Sequence, residues 1–98
     1  MDIKAIEDNA EDLVNLLKAL ANDKRLLIMC SLLRGEKCVG ELEDLVDLSQ
    51  SALSQHLARL RRDRLVSTRR DAQTIYYSLQ DEKIHLVMKA LCSIIKDD

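Results

Sequence analysis

A run of arginines in the middle of the chain could bind the phosphate backbone of a nucleic acid. Between His56 and Gln73 there are six arginines and only two acids, Asp63 and Asp71, although the whole chain carries a net charge of −2. Arginine contacts to phosphate release counterions from DNA, so a basic segment in an acidic protein is typical of a phosphate-binding surface. A solvated face that only keeps the protein soluble is the alternative, and charge alone leaves both interpretations open.

Small polar residues and glutamines lie on the same predicted helix, Gln50–Arg62, just before the arginines. At 100° per residue, Leu53, Leu57 and Leu60 form a narrow apolar stripe, and the opposite face is polar at its start and basic at its end. Small side chains let the helix backbone approach the major groove, where glutamine pairs with adenine and arginine with guanine. Ser49 is the predicted N-cap, and with the first helical amides it could hold a phosphate. The candidate DNA-binding residues are Ser49, Gln50, Ser51, Ser54, Gln55, Arg59, Arg62, Arg69, Arg70 and Gln73.

The elements that must position these residues follow from the periodicity of the chain. Leucines at helical spacing predict a first helix over residues 7–20, and Asn22 is the predicted N-cap of a second helix that runs to Arg34. Two helices joined by a short turn and followed by a hairpin make a winged helix-turn-helix. The predicted fold is mainly α with a β wing, in the order α-α-α-α-β-β-α, as one domain over residues 1–98. The later elements are predicted at about Val39–Val46, Gln50–Arg62, Val66–Arg70, Thr74–Leu79 and Glu82–Lys96.

Composition argues against several other classes of protein. The chain has 98 residues, no proline, phenylalanine or tryptophan, and only two glycines, which favours helices over a sandwich or barrel. We expect no membrane span, no signal peptide and no disulfide scaffold. We also expect no enzyme and no cofactor, because the sequence has no nucleophile motif, glycine-rich phosphate loop or paired acid and base. A helical protein-interaction module stays open as an alternative, since the acidic first helix and aliphatic last helix could bind other proteins.

Three segments resemble the ArsR/SmtB family of bacterial winged-helix repressors. They are LLKALANDKRLLIMCSLL, VGELEDLVDLSQSALSQHLARLRRDRLV and RRDAQTIYYSL, and they look most like the thiol-sensing HlyU/BigR-like subgroup. The resemblance implies a cytoplasmic bacterial homodimer, formed through the first and last helices. It also implies binding to double-stranded promoter DNA through Gln50–Arg62 and the wing. The implied role is that of a repressor, or of an anti-silencer as in some HlyU-like members, and an inducer typically lowers its DNA affinity.

The resemblance also implies a candidate redox switch, made of Cys30 and Cys92. The subgroup carries its sensing cysteine at the position of Cys30, and its partner cysteine lies about one turn after Cys92, near Lys96. A direct disulfide needs Cα atoms within about 7 Å, whereas a polysulfide bridge could span more. Two interpretations stay open: a switch operated by an oxidant or reactive sulfur species, or two small core residues in a regulator with another inducer.

No metal site is expected in this chain. The family's metal motif, Cys-Val-Cys, corresponds here to Cys38-Val39-Gly40, so one ligand is missing. The family's second site lies on the last helix, where Lys83 and Ile94 occupy its two histidine positions. A single thiolate cannot complete a tetrahedral zinc site, and carboxylates without imidazoles are poor zinc ligands. Cys38 is therefore expected to be a partly exposed bystander.

Overall fold

Five helices and a three-stranded antiparallel sheet form the fold in the computed structural model, which describes residues 2–95. The predicted fold class, a mainly helical winged helix-turn-helix, is confirmed. The strand order in the sheet is β1-β3-β2, so the central strand is the last in sequence. The elements are α1 (Ile3–Leu20), α2 (Asp23–Leu32), β1 (Lys37–Cys38), α3 (Val39–Leu45), α4 (Gln50–Arg62), β2 (Val66–Asp71), β3 (Thr74–Leu79) and α5 (Glu82–Cys92).

Strand β1 is an addition to the predicted order of elements. It consists of Lys37 and Cys38, which pair with Tyr77 and Tyr76 of β3. Two residues are too few to show the alternation by which a strand is recognised in a sequence, so the prediction of only two strands was wrong. The extra strand joins the segment between α2 and α3 to the wing.

The helix boundaries depend on polar caps, and most of them follow the sequence prediction. The side chain of Asn22 accepts hydrogen bonds from the backbone N–H groups of Lys24 and Arg25, both at 3.0 Å. The Ser49 hydroxyl accepts one from Ala52 at 3.1 Å, so α4 begins where the sequence placed it. These bonds satisfy amides that have no partner within the helix.

Four helix ends differ from the prediction, one of them by a single residue, since α3 ends at Leu45 rather than at Val46. Helix α1 begins at Ile3 rather than at residue 7, because Asp2 accepts a hydrogen bond from the Lys4 amide at 3.0 Å and caps it. Helix α2 ends at Leu32, before the predicted Arg34. Helix α5 ends at Cys92. The predicted end at Lys96 lies outside the described residues.

The core is aliphatic and has α2 at its centre, where this helix packs against α1, α3, α4, α5 and β3. The predicted inward stripe of α4 is confirmed, because Leu53, Leu57 and Leu60 are buried. Burying a leucine side chain contributes about 1.5–3 kcal/mol, so this stripe fixes which face of α4 points outward. The other buried apolar residues are Ala19, Leu20, Ile28, Met29, Leu32, Leu42, Val46, Leu65, Val66 and Met88.

A buried arginine on α2 ties three helices together. Arg25 is 8% exposed, and its Nε donates to the carbonyl of Ala19 at 2.5 Å while Nη2 donates to the carbonyl of Lys18 at 3.4 Å. Its Nη1 lies 3.5 Å from Nδ1 of His56 on α4. A buried guanidinium needs such partners, and the C-terminal carbonyls of α1 supply them where the helix leaves carbonyls unpaired. Arg25 therefore links the end of α1 to the middle of α4.

The pKa of His56 is lowered from its ordinary 6.5 by burial and by the nearby positive charges of Arg25 and Arg59. The folded state consequently binds the imidazole proton less readily than the unfolded state does. Neutral His56 therefore contributes to the free energy of unfolding. This contribution is fully present above about pH 6.5 and is lost as the pH falls through the pKa of the folded state. Protonation would place two cations beside each other in a partly buried site.

We predict that the free energy of unfolding falls between pH 7.5 and pH 5, and that His56→Gln reduces this fall. Glutamine can accept the hydrogen bond from Arg25 but cannot take up a proton. Urea unfolding of the two proteins at several pH values measures the effect. Equal pH slopes for wild type and His56→Gln would contradict the assignment.

Candidate nucleic-acid interface and cysteine pair

Helices α3 and α4 form the helix-turn-helix, joined by a short turn over residues 46–49. The Val46 amide donates to the Leu42 carbonyl at 2.9 Å, and the Leu48 amide donates to the Val46 carbonyl at 2.8 Å, which closes the turn. Because the leucine stripe of α4 faces the core, the opposite side of the helix faces solvent. The predicted contact residues of α4 lie on this exposed side: Gln50, Ser51, Ser54, Gln55 and Arg62.

The start of α4 has exposed polar side chains next to an N-cap residue whose hydroxyl is already hydrogen-bonded. The Ser49 hydroxyl accepts a hydrogen bond from its own helix, whereas Gln50 and Ser51 are exposed beside it. The first amides of a helix carry the positive end of its dipole, which favours an anion there. This end of α4 can therefore approach a phosphate or a base edge closely.

The end of α4 carries arginines whose charges are partly balanced by Asp63. Arg59 Nε lies 3.5 Å from Asp63 Oδ2, and Arg62 Nε lies 3.7 Å from Oδ1. The Arg62 side chain is 73% exposed and Arg59 is 39% exposed, so Arg62 is the more accessible of the two predicted contacts. Exposed pairs of this kind contribute only about 0.2–1 kcal/mol, so a phosphate can replace the carboxylate.

Arg61 belongs to the same surface, although the sequence analysis gave it no role. It is exposed and lines a cleft between α4 and the wing, together with Ser54, Ala58, Arg62 and Tyr77. The local excess of arginine was visible in the sequence, but its position relative to β3 was not. The cleft makes the basic end of α4 continuous with the sheet.

The wing is a hairpin with a two-residue turn. Asp71 pairs with Thr74, and Ala72 in the turn has a φ of 57°, in the left-handed region. The predicted contacts Arg70 and Gln73 are both exposed near this tip. Strand alternation places Arg70 on one face of β2 and Arg69 on the other.

Arg69 is paired within the protein. Its Nε donates to Oε2 of Glu36 at 2.8 Å and its Nη2 donates to Oε1 at 2.5 Å, while the guanidinium lies 4.4 Å from the centre of the Tyr76 ring. Hydrogen bonding to Arg69 lowers the pKa of Glu36, and the same interaction raises the pKa of Arg69. Tyr77, on the other face of β3, packs against the core.

Cys30 and Cys92 meet between α2 and α5. The two side chains are close enough for Cys92 to raise the pKa of the Cys30 thiol, and both residues pack against the hydrophobic core. Burial, followed by the interaction with Cys92, raises the pKa of the Cys30 thiol to about 12. Cys38 is half-buried on β1. Lys96, near the position implied for a partner cysteine, lies outside the described residues.

Next to the cysteine pair, α1 and the C-terminal end of the described chain leave an apolar surface uncovered. Leu17 is 63% exposed and Ile94 is 75% exposed. These two residues also line a cleft that contains Cys30, Leu91 and Ile95. Contiguous exposed apolar surface of this kind marks an interaction site. Further exposed apolar residues on α1 and α5 are Ile3, Ile6, Leu13, Val14 and Leu86.

Within residues 2–95 the structure brings no three histidine, cysteine or acidic side chains together in a group that could hold a metal. In the same part of the chain no helix combines the length and the apolar character needed to cross a membrane.

Comparison with known proteins identifies relatives that cover nearly the whole chain. Residues 22–68 match the family described as bacterial regulatory protein, arsR family. The transcriptional activator HlyU of Vibrio cholerae is 50% identical over 91 residues, which are 93% of this chain and 84% of that protein. The solved structure of reduced HlyU from Vibrio cholerae has a TM-score of 0.88 at 48% identity, covering 96% of this chain and 99% of its own.

Two further solved structures share the fold. The transcriptional repressor BigR from Xylella fastidiosa has a TM-score of 0.88 at 38% identity, with 100% of both chains covered. A homodimeric winged helix-turn-helix DNA-binding domain from Mycobacterium bovis has a TM-score of 0.81 at 26% identity, covering 96% of this chain and 85% of that one. The proteins of this family are DNA-binding transcriptional regulators rather than enzymes. The resemblance found in the sequence is thereby confirmed, and the chain belongs to the ArsR family of bacterial regulatory proteins.

Proposed function

We propose that the chain is a single-domain regulator that binds promoter DNA as a homodimer, with α4 in the major groove and the wing on the backbone. The observation that carries this proposal is the exposed polar and basic face of α4, which continues through Arg61 and Tyr77 to the wing. The leucine stripe holds that face outward, and its residue types suit base edges and phosphates. The output is repression or relief of silencing, since the relatives include both a repressor and an activator.

The exposed apolar surface of α1 and α5 supports a dimer formed through these helices. A domain of this size buries a modest fraction of its surface, so a second copy adds useful apolar burial. The homodimeric structural neighbour from Mycobacterium bovis is consistent with this arrangement. A two-fold dimer would present its two α4 helices to successive major grooves, about 34 Å apart.

We predict that Leu17→Glu prevents dimerisation and lowers promoter affinity by at least tenfold. A charge in an apolar interface costs several kcal/mol when it has no partner, and a monomer contacts only one half-site. Sedimentation velocity gives the oligomeric state and fluorescence anisotropy gives the affinity. Leu45→Glu on α3, where the leucine is also 52% exposed, is the matched control and stays dimeric. A dimeric Leu17→Glu protein would refute the proposed interface.

For DNA recognition we predict that Gln55→Ala and Arg62→Ala weaken binding to the cognate promoter by about 1–3 kcal/mol and affect random DNA less. Arg70→Ala should instead weaken binding to all sequences alike. It should also reduce the slope of log K against log salt concentration by about one for each wing. Anisotropy titrations on both duplexes at several salt concentrations measure this.

Two results would count against these assignments. Equal loss on cognate and random DNA for Gln55→Ala would refute its role in reading bases. No salt-dependent DNA binding by the wild type would favour the alternative, a helical protein-interaction module.

We further propose that an oxidant or reactive sulfur species switches the regulator through Cys30 and Cys92. The contact between the two thiols supports this step, and one of the similar solved structures is named as a reduced form. Because burial disfavours the thiolate of Cys30, we assign the first attack to Cys92. The Cys92 thiolate attacks a sulfane sulfur of a polysulfide and releases a shorter sulfide chain as the leaving group.

The second step closes the bridge. The Cys30 sulfur attacks the resulting Cys92 persulfide, hydrosulfide leaves, and the Cys30 proton passes to the leaving sulfur or to water. Two thiols are thereby oxidised by two electrons, and one sulfane sulfur is reduced to sulfide. A bridge between α2 and α5 would change the spacing of the two α4 helices in the dimer and lower the affinity for DNA. The loss of binding free energy can be no larger than the difference in free energy between the reduced and the bridged conformations.

We predict that Cys30→Ser abolishes the loss of promoter binding caused by a polysulfide donor, while the reduced variant binds DNA like the wild type. Serine cannot form the bridge and is close to cysteine in size. Anisotropy before and after treatment measures the response, and Cys38→Ser is the control that keeps it. If Cys30→Ser still loses promoter binding fully after the treatment, the proposed switch is refuted. The cysteines would then be core residues, and the inducer would be another compound.

A further inference from the structure

A charged pair crosses the outer face of the wing from one edge to the other. Glu36 lies just before β1 and Arg69 lies on β2, and these strands are the two edges of the sheet. Neighbouring strands are about 4.8 Å apart, so the pair spans the central strand, where Tyr76 lies beneath the guanidinium. Tyr76 pairs with Cys38 on one side and with Arg69 on the other, which centres its ring under the pair.

The geometry of the pair uses the side of the guanidinium that suits phosphate. Nε and Nη2 of Arg69 donate to the two carboxylate oxygens of Glu36 at 2.8 and 2.5 Å. Arginine binds carboxylate and phosphate through this same planar fork, with two parallel hydrogen bonds. The carboxylate oxygens of Glu36 therefore occupy the positions in which Arg69 would bind two oxygens of a DNA phosphate.

We propose that Glu36 competes with the DNA backbone for the fork of Arg69 and so sets the affinity of the wing for DNA. This inference rests on the proposed DNA-binding function and adds a tuning residue to it. In the free protein Glu36 and Tyr76 hold Arg69 over the sheet. On DNA, a phosphate replaces the carboxylate, and part of the binding free energy is used to separate the pair.

The exposure of the two side chains makes this exchange accessible. Arg69 is 53% exposed and Glu36 is 39% exposed, so the pair is open to solvent and a phosphate can reach it. The turn at Ala72 and Gln73 lies directly beyond, so a wing that contacts DNA with its tip brings phosphates near β2. Arg70 occupies the opposite face of the same strand and does not share this carboxylate.

A double-mutant cycle separates competition from a general effect of charge. The four proteins are wild type, Glu36→Gln, Arg69→Gln and the double variant, measured by anisotropy on one cognate duplex at several salt concentrations. Replacing Arg69 removes one positive charge in both backgrounds, so long-range electrostatics predicts the same loss of affinity in each. Competition predicts a larger loss when residue 36 is glutamine, because only then is the fork free in the unbound protein.

We expect Glu36→Gln to bind about two- to fivefold more tightly for each wing on the DNA, with nearly the same salt dependence, because the same phosphate contact forms in both proteins. The loss caused by Arg69→Gln should be larger by the same factor in the Glu36→Gln background. Arg70→Gln is the matched control and should lose the same amount in both backgrounds. Circular dichroism melting checks that all variants fold.

The outcomes distinguish the inference from the function on which it rests. If Arg69→Gln causes the same loss of affinity with glutamate and with glutamine at position 36, Glu36 acts through its charge alone and the inference is overturned. A larger loss in the presence of Glu36 means that Glu36 orients Arg69 toward phosphate, which also overturns it. Both results leave wild-type DNA binding intact, whereas absence of salt-dependent binding by the wild type overturns the proposed function itself.

Discussion

The packing of α4 against α2 and the core determines how the other surfaces of the fold are placed. Leu53, Leu57 and Leu60 occur at helical spacing and are buried, so α4 can present only one face to solvent. Together these leucines bury enough apolar surface to contribute several kcal/mol, which is comparable with the whole stability of a small domain. The polar and basic face that we propose for DNA is therefore rigidly placed, although few of its own residues have fixed partners.

Helix α2 connects the features to which we assign functions. Its Arg25 holds the end of α1 and contacts His56 on α4, and its Cys30 contacts Cys92 on α5. A covalent change between α2 and α5 would act on a helix that already touches α4 and the helices of the proposed dimer surface. Because the interior is close-packed, a shift at one end of α2 is transmitted to the helices packed on it rather than absorbed locally. This gives the proposed thiol switch a direct physical route to the DNA-binding face.

The charges of the proposed interface are moderated by acids from the same chain. Asp63 lies beside Arg59 and Arg62 at the end of α4, and Glu36 binds Arg69 on the wing. Such exposed pairs are weak enough to exchange with phosphate, and each exchange makes binding more dependent on salt. The net charge of −2 is thus compatible with a DNA-binding surface whose arginines are partly neutralised until DNA is bound.

The helices and strands with local signals could be predicted from the order of the residues. Helical periodicity, the caps Asn22 and Ser49, and the β-branched and aromatic run of β3 gave the winged helix-turn-helix and the outward face of α4. Strand β1 escaped prediction, since two residues show no alternation. Contacts between residues that are far apart in the chain became visible only in the folded protein. Folding brought Cys92 to Cys30, although the resemblance implied a position near Lys96, and it paired Arg69 with Glu36 while Arg70 stayed exposed. Periodicity fixes the direction of a side chain around its own helix or strand, but the neighbour it meets is set by how separate elements pack.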